Sequence, residues 1–196
     1  LGMGSDMRIG SRFLRAGPAY GGSCFPKDTK GLVSIGDKAK IDLSLVRAVI
    51  KSNENRKKLL LKRIHNIVGK NIKNKKITFL GVTFKPNTDD MRDSASLSMI
   101  PYLEKKGASI TYYDPTGEKK EFTSLKNCKF SKLINLACKN ADLVILHTEW
   151  DEFKSLDFKK LVKNKKFKLY DLRNLYNREE MKKKNIKYFS IGRPDF

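Results

Sequence analysis

The stretch "KITFLGVTFKPN", residues 76–87, begins the part of the chain whose fold the sequence specifies best. Its first seven residues form a short apolar run rich in Ile, Phe and Val, which predicts a buried strand. Similar apolar runs recur downstream, with helical patterns between them. Further strands are predicted at 108–115, 141–148, 167–173 and 186–192. Helices are predicted at 94–106, 132–140, 157–163 and 178–185. Strands that alternate with helices predict an α/β fold with a doubly wound, mostly parallel, Rossmann-like sheet.

The region before residue 73 predicts a helical segment. Residues 1–40 are rich in Gly, Ser, Pro and Lys and indicate a short helix near 5–15, a glycine loop, and a helix from about Thr29. Residues 43–68 show an apolar period near 3.6 with a polar middle, which predicts one long helix of the kind that bridges domains or subunits. We therefore expect a helical segment over 1–72 and an α/β domain over 73–196, with Pro101 kinking its first helix or marking an irregular start.

The composition limits the classes of partner. The formal net charge is +21, but the lysines are spread along the chain and no zinc-finger or RNA-recognition signature is present, so no nucleic-acid partner is expected. The alternative is a lysine-rich surface that attracts small anionic ligands. No apolar run reaches 18 residues, so neither a spanning helix nor a membrane partner is expected. Three cysteines without metal-like pairing favour free thiols in the cytoplasm and no metal site.

In doubly wound domains, ligands bind at the carboxyl ends of the strands. Three candidates lie there: Lys85 follows the first predicted strand, Asp114 ends the second, and Arg173 ends the fourth. Lys85 and Arg173 either clamp a phosphate from neighbouring loops or are two solvated cations, and residue types leave both open. The first strand does not run into G-x-G-x-x-G, so the standard dinucleotide fingerprint is missing.

The loop "GGSCFPKDTKG", residues 21–31, contains a possible nucleophile. Two glycines allow the backbone to approach a ligand closely, while Lys27 and a following helix favour a thiolate at Cys24. Asp28 is a carboxylate that could activate a water. Residue types alone leave open whether Cys24 is a nucleophile or a structural thiol; structural roles are expected for Cys128 and Cys138, and no ligand role for His65 and His147.

Four stretches together resemble the UDP-glucose/GDP-mannose dehydrogenase family, in family order and spacing: "RIGSRFLRAGPAYGGSCFPKDTKGL" (8–32), "LGVTFKPNTDDMRDSAS" (80–96), "HTEWDEF" (147–153) and "YDLRN" (170–174). The resemblance implies a three-part enzyme with an N-terminal NAD-binding Rossmann domain, a central helical segment, and a C-terminal domain that holds the nucleotide of the sugar substrate. This chain matches only the last two parts. We therefore expect a fragment that lacks the NAD-binding domain and is inactive alone.

The resemblance also implies roles for individual residues. Cys24 matches the catalytic nucleophile and Asp28 the residue that assists the water. Lys27 and Arg92 match contacts to NAD, and the long helix 43–68 matches the homodimer contact. Matches to substrate-binding positions are Arg8, which reaches across the dimer interface, the loop Arg15, Ala16, Gly17, Pro18, Ala19, Tyr20 and Gly21, and Phe84, Lys85 and Arg173. Tyr20 departs from the Phe of many relatives but keeps an aromatic face.

The implied chemistry is the NAD-dependent oxidation of UDP-glucose to UDP-glucuronate in two hydride transfers, through a thiohemiacetal and a thioester on the cysteine. The alternative within the family is GDP-mannose or another nucleotide sugar, and "GGSCFPKD" favours the UDP-glucose or GDP-mannose branches over the amino-sugar branch. Two other classes stay open: a nucleotide-sugar binding or dimerisation module, and a basic nucleic-acid binder.

Overall fold

The computed structural model describes residues 2–69 and 71–195. The α-helices are α1 (Phe25–Lys38), α2 (Ser44–Val68), α3 (Ser96–Lys105), α4 (Ile134–Cys138), α5 (Phe158–Leu161) and α6 (Arg178–Lys183), and the strands are β1 (Lys76–Leu80), β2 (Ser109–Tyr113), β3 (Cys128–Phe130), β4 (Leu143–Leu146), β5 (Lys168–Asp171) and β6 (Lys187–Ser190). Short 3₁₀ helices lie at Met3–Ser5, Ser11–Leu14, Lys120–Phe122 and Asp151–Ser155.

The strands form one six-stranded sheet in the order β3-β2-β1-β4-β5-β6, and every pairing is parallel. This confirms the predicted doubly wound α/β class. Alternate residues of β1 point to opposite faces: Phe79 packs with α2 and α3, whereas Leu80 packs in the cluster that contains α4, α5 and α6. Because helices cover both faces, the strands read as continuous apolar runs.

The long helix α2 runs over Ser44–Val68, as the apolar period predicts. Its second half buries Leu60, Ile64 and Ile67 in the core on one face of the sheet, while Leu45 near its start is 81 % exposed. The helix therefore reaches from the glycine-rich segment to the sheet. None of the helices in the described part of the chain is long and apolar enough to cross a bilayer.

Several local predictions are wrong. Residues 5–15 form 3₁₀ turns separated by Gly10 at φ +71°, which a continuous α-helix does not accommodate. Helix α1 begins at Phe25 rather than near Thr29, because Pro26 fits a first turn, where its missing N–H is not needed. The strand β3 was not predicted, because its three residues are too few to show a periodic pattern. Pro101 lies inside α3, as expected, so it does not mark the start of that helix, and a kink at Pro101 stays a prediction.

The segment that leaves β1 is closely packed against the residues that follow β4. Gly81 has φ +73°, and a Cβ placed on it would lie 2.5 Å from the Cβ of Thr148, so the segment after β1 passes directly against the end of β4. The Thr148 hydroxyl donates to the carbonyl of Thr83 over 2.6 Å, and the backbone N–H of Val82 donates to Asp114 over 2.8 Å. Asp114 is therefore a buried acceptor that shapes the turn, and not a free group at the strand end.

The buried His147 makes stability depend on pH. Its Nδ1 lies 3.0 Å from the Thr148 hydroxyl, and complete burial, with Arg173 adding repulsion, lowers the pKa of His147 to about 3. An unfolded histidine has a pKa of about 6.5, so between these values only the unfolded chain takes up the proton. The free energy of unfolding should therefore fall by about 1.4 kcal/mol per pH unit below about pH 6.5. Urea titrations from pH 7 to pH 5 should show a shallower slope for His147→Gln, and parallel slopes would contradict this role.

Candidate functional site

The cysteine loop lies against the turn that follows β1. The backbone N–H of Gly22 donates to the carbonyl of Arg92 over 2.7 Å. A Cβ on Gly21 would lie 2.6 Å from the carbonyl oxygen of Asp93, and one on Gly22, at φ +88°, would lie 2.8 Å from the Phe84 ring. Both glycines thus allow the loop to approach the chain's own backbone, beside the carboxyl end of β1.

Helix α2 holds the same loop from the other side. The side-chain amide of Asn53, which is buried, accepts from the N–H of Tyr20 over 3.0 Å and donates to the carbonyl of Tyr20 over 3.1 Å. Arg56, one turn further along, donates to the carbonyl of Gly17. The Tyr20 ring packs edge-on against Phe25 with centroids 4.8 Å apart, so the aromatic face joins the loop to α1.

The guanidinium of Arg173 connects three loops. Its Nε donates to the carbonyl of His147 over 2.8 Å and its Nη2 donates to the carbonyl of Phe84 over 2.9 Å. Glu149 pairs with it, with Oε2 2.9 Å from Nε and Oε1 3.4 Å from Nη1. The Nε hydrogen is directed at the carbonyl of His147, so the 2.9 Å contact between Nε and Oε2 of Glu149 is electrostatic. The Glu149 carboxylate accepts its hydrogen bond from Nη1 instead.

Burial and the neighbouring carboxylates have opposite effects on the pKa of Arg173. Burial lowers the pKa of Arg173, while Glu149 and Asp171 favour its charged form. A Cβ on Gly17 would lie 2.9 Å from Nη1, so the loop backbone packs on the guanidinium itself. One hydrogen on each terminal nitrogen stays available, because the protein contacts use only part of the five-donor fork. Arg173 is therefore a buried junction and not a solvated cation.

Lys85 is exposed and lies beside this junction. Its Nζ is 5.3 Å from the centroid of the Phe84 ring, whose backbone carbonyl Arg173 holds. The structure therefore brings Phe84, Lys85 and Arg173 together at the carboxyl edge of the sheet, where the order of the strands changes between β1 and β4. This is the position at which doubly wound domains bind ligands.

Cys24 is an exposed free thiol at the start of α1. Its Sγ lies 3.5 Å from the hydroxyl oxygen of Ser23. Lys27 and Asp28 follow in the first turn, both exposed, with Nζ 3.5 Å from Oδ1. Arg92 forms two side-chain hydrogen bonds to Asp90, which lower the pKa of Asp90; the Asp90 contacts, and to a lesser extent the charge of Cys24, raise the pKa of Arg92. Cationic groups from two segments thus flank the thiol.

The other predicted loop residues have contacts of their own. Arg8 is exposed and pairs with Asp6, with Nη2 2.7 Å from Oδ2. Arg15 is exposed and helps to lower the pKa of Asp151, after the Lys154 contacts, so it lies near the turn that follows β4. The backbone between Arg15 and Gly21 runs past Arg173, with Pro18 buried and Ala19 packed on the core.

Two positioning side chains were not predicted from sequence. Glu149 lies within "HTEWDEF", where an acid after a strand could have suggested a partner for Arg173. Asn53 lies in the polar middle of α2, and nothing in the sequence distinguishes it from its exposed neighbours. No group of three or more His, Cys, Asp or Glu within the described residues could hold a metal ion.

Two family models match the chain. The model described as the UDP-binding domain of the UDP-glucose/GDP-mannose dehydrogenase family matches residues 78–178, and the model of the family's central domain matches residues 1–55. Among curated relatives, UDP-glucose 6-dehydrogenase of Rhizobium meliloti (strain 1021) is 43% identical over 195 residues, which is 99% of this chain and 45% of the relative. UDP-glucose 6-dehydrogenase TuaD of Bacillus subtilis (strain 168) is 37% identical over 98% of this chain and 42% of its own length.

Solved structures show the same fold. A UDP-glucose dehydrogenase from Pyrobaculum islandicum superposes with a TM-score of 0.79 at 26% identity, covering 96% of this chain and 41% of that protein. A GDP-mannose dehydrogenase from Pseudomonas aeruginosa gives a TM-score of 0.73 at 21% identity, over 95% of this chain and 42% of that protein, and this likeness shows the fold alone. The chain spans less than half the length of the curated relatives it matches.

Glycine 22 should be required for docking of the cysteine loop. We expect Gly22→Ala to lower the free energy of unfolding by about 1–3 kcal/mol, because the new Cβ meets the Phe84 ring at a positive φ. Gly31→Ala is the matched control: apart from its chain neighbours and the nearby backbone of α1, no atom lies within 4 Å of its Cβ position, so it should stabilise by about 0.5–1 kcal/mol. Denaturant unfolding checks both values, and equal effects of the two substitutions would contradict the docking contact.

The buried Glu149–Arg173 pair should show strong coupling. Glu149→Gln leaves the Arg173 charge buried beside a neutral group and should cost about 3–5 kcal/mol, whereas the double variant Glu149→Gln/Arg173→Met should cost much less than the two single changes together. A double-mutant cycle by urea unfolding measures the coupling free energy. Additive effects would mean that the two side chains do not depend on each other.

Proposed function

The chain belongs to the UDP-glucose/GDP-mannose dehydrogenase family, and on that premise we propose that it is the central and nucleotide-binding part of an NAD-dependent UDP-glucose 6-dehydrogenase. The observation that carries the proposal is the docking of the cysteine loop on the carboxyl edge of the sheet, which brings an exposed thiol close to Arg92 and the Phe84 turn. We retain the division into 1–72 and 73–196 as part of the proposal, with α2 contributing to both units.

Cys24 is the nucleophile in this proposal. Oxidation of the C6 alcohol to an acid removes two hydrides and adds the oxygen of one water. After the first hydride leaves, the Cys24 thiolate adds to the aldehyde carbon and forms a thiohemiacetal, whose C–H supplies the second hydride. The resulting thioester is cleaved by water, and Asp28, four residues along the same face of α1, takes the water's proton. The C–S bond breaks as the water oxygen bonds to the carbonyl carbon, so the sulfur leaves as the Cys24 thiolate and the carboxylate product is released.

The nucleotide of the substrate binds at the carboxyl edge of the sheet. Lys85 is an exposed cation beside the two remaining guanidinium hydrogens of Arg173, and together they suit a diphosphate. The backbone of residues 15–21 and the Phe84 turn line the same place. Arg8, exposed in this chain, contacts the substrate of a partner subunit, in a homodimer that forms through α2.

NAD supplies the hydride acceptor, and this chain provides only edge contacts to it. Lys27 and Arg92 are exposed cations that flank Cys24 and suit an anionic cofactor. Asp114, the acid at the end of β2, is fully engaged with Val82 and Thr116 and does not fit a ribose contact. The dinucleotide is therefore held by another part of the protein. The free thiols fit the cytoplasm, and the reaction needs neither nucleic acid nor a membrane-embedded segment.

The second candidate is oxidation of GDP-mannose or another nucleotide sugar by the same residues. As a third, this chain on its own acts as a nucleotide-sugar binding or dimerisation module, because the dinucleotide glycine turn is absent after β1. Calorimetry of the isolated chain with UDP and with GDP separates these cases. Binding of UDP that Lys85→Ala weakens supports the UDP-sugar site, and preference for GDP would favour the second candidate.

The full-length protein that carries this chain should form two NADH per UDP-glucose consumed. Cys24→Ser should abolish the second oxidation and reduce turnover by at least about 10³-fold, since a hydroxyl is a far weaker nucleophile, while UDP-glucose binding by calorimetry stays largely intact. Cys128→Ser, a half-buried thiol on β3, is the matched control and should keep its activity. One NADH per sugar, or normal turnover by Cys24→Ser, would refute the proposal.

A further inference from the structure

The positive charge of the α/β domain lies at the edge of the sheet opposite the candidate site. Because all six strands are parallel, the segments that lead into them lie at the amino edge, and the segments that leave them lie at the carboxyl edge. The entering segments, 71–76, 104–109, 123–128, 138–143, 162–168 and 182–187, contain fifteen lysines, no arginine and two acids. The leaving segments, 81–95, 114–119, 131–133, 147–152, 172–177 and 191–195, contain six lysines or arginines and nine acids.

Each strand is preceded by an exposed lysine, and these define the amino-edge lysine surface: Lys73, Lys106, Lys126, Lys139, Lys166 and Lys184. Within residues 2–69 and 71–195, none of the six forms an ion pair with a carboxylate. The two acids at this edge have other partners. Glu104 accepts from the N–H of Asn127 over 3.2 Å, and Asp142 accepts from the N–H of Lys76 over 2.9 Å. Both acids keep their negative charge, but fifteen lysines against two acids leave this edge with a large net positive charge.

The segments of this surface are in contact with one another. The N–H of Asn74 donates to the carbonyl of Gly107, that of Asp142 to Lys76, and that of Lys163 to Lys139, over 2.8, 2.8 and 2.9 Å. Six strands at the usual spacing give an edge about 24 Å wide. The lysines thus form a broad array across the edge, and not a single arm or stripe.

We propose that the amino-edge lysine surface binds an anionic lipid bilayer peripherally. Clustered lysines attract the negative surface of such a bilayer without inserting into it. Nucleic-acid recognition generally adds arginine forks or stacking aromatic side chains, and the six entering segments contain no arginine and one aromatic residue, Phe167, which is buried. A membrane at this edge leaves the carboxyl edge, with Cys24 and Lys85, facing the aqueous side.

A groove at the β6 end of the surface also favours lipid. It has a volume of about 540 Å³, and its lining includes Lys182 and Lys187, the apolar side chains of Ile186 and Phe189, and the carboxylate of Asp195, which pairs with Arg63. A lipid offers both an anionic headgroup and an apolar chain to such a groove, whereas a phosphodiester backbone offers only the anion.

The proposal differs from the expectation that this chain has no membrane partner. That expectation follows from the absence of a spanning run, which bears only on insertion. The lysines of the six segments are far apart in sequence and converge only when the parallel sheet forms. Peripheral attraction of this kind is therefore not visible as a charge run in the sequence.

Sedimentation with lipid vesicles tests the proposal. The protein should bind vesicles made of equal parts phosphatidylcholine and phosphatidylglycerol, should not bind pure phosphatidylcholine, and should dissociate as salt is raised. The variant Lys139→Glu/Lys166→Glu/Lys184→Glu should partition at least about tenfold more weakly. The control Lys120→Glu/Lys132→Glu/Lys154→Glu has the same net charge but changes exposed lysines outside the six entering segments, and it should stay within about twofold of the unaltered protein.

Three outcomes would overturn the proposal. Failure to bind the mixed vesicles removes the partner, and equal losses in the two triple variants would mean that net charge, and not this surface, is responsible. Tighter binding to duplex DNA than to the vesicles, lost in the amino-edge variant, would identify nucleic acid instead. None of these measurements depends on UDP-glucose or NAD, so the result is independent of the proposed catalytic function.

Discussion

The candidate site depends on one buried cation. Arg173 follows β5, yet its guanidinium holds the carbonyls at the end of β4 and in the turn after β1, and it supports the backbone of Gly17. A buried cation of this kind is tolerated only with a close carboxylate, which Glu149 supplies at 2.9 Å. Through these contacts, Arg173 positions the loops that follow β1, β4 and β5, and the segment that leads to Cys24, relative to one another.

The α/β class and most of the strands could be predicted from the sequence because both faces of the sheet are covered, which makes the strands continuously apolar. The long helix could be predicted for a related reason, since Leu60, Ile64 and Ile67 recur at helical spacing. Secondary-structure elements that form only through contacts with other segments of the chain could not be predicted in this way. Strand β3 exists because three residues pair with β2. The start of α1 is a different case, because Pro26 is a signal for a first turn that is present in the sequence itself.

The residues of the candidate site likewise fall into those that the sequence identifies and those that only the folded structure identifies. Residue types and the family resemblance identify Cys24, Lys85 and Arg173 as candidates, because thiols and cations at strand ends have recognisable chemistry. The same reasoning could not tell that Gly21 and Gly22 face Asp93 and Phe84 of the same chain instead of a ligand. Nor could it identify Asn53, whose role arises only when Tyr20 is brought next to α2. Side chains that position others are defined by contacts across the fold, and single-sequence patterns do not record those contacts.

The close backbone packing at Gly17, Gly21 and Gly22 also restricts how the protein can move. At each of these positions a Cβ would lie within 3.0 Å of the facing guanidinium, carbonyl or aromatic ring, so only bare backbone fits there. The cysteine loop is thus tied to the sheet domain by close backbone contacts, and to α2 by the hydrogen bonds between Asn53 and Tyr20. Any movement that separated the cysteine loop from the sheet would have to break the hydrogen bond from the Gly22 N–H to the Arg92 carbonyl and both hydrogen bonds between Asn53 and Tyr20.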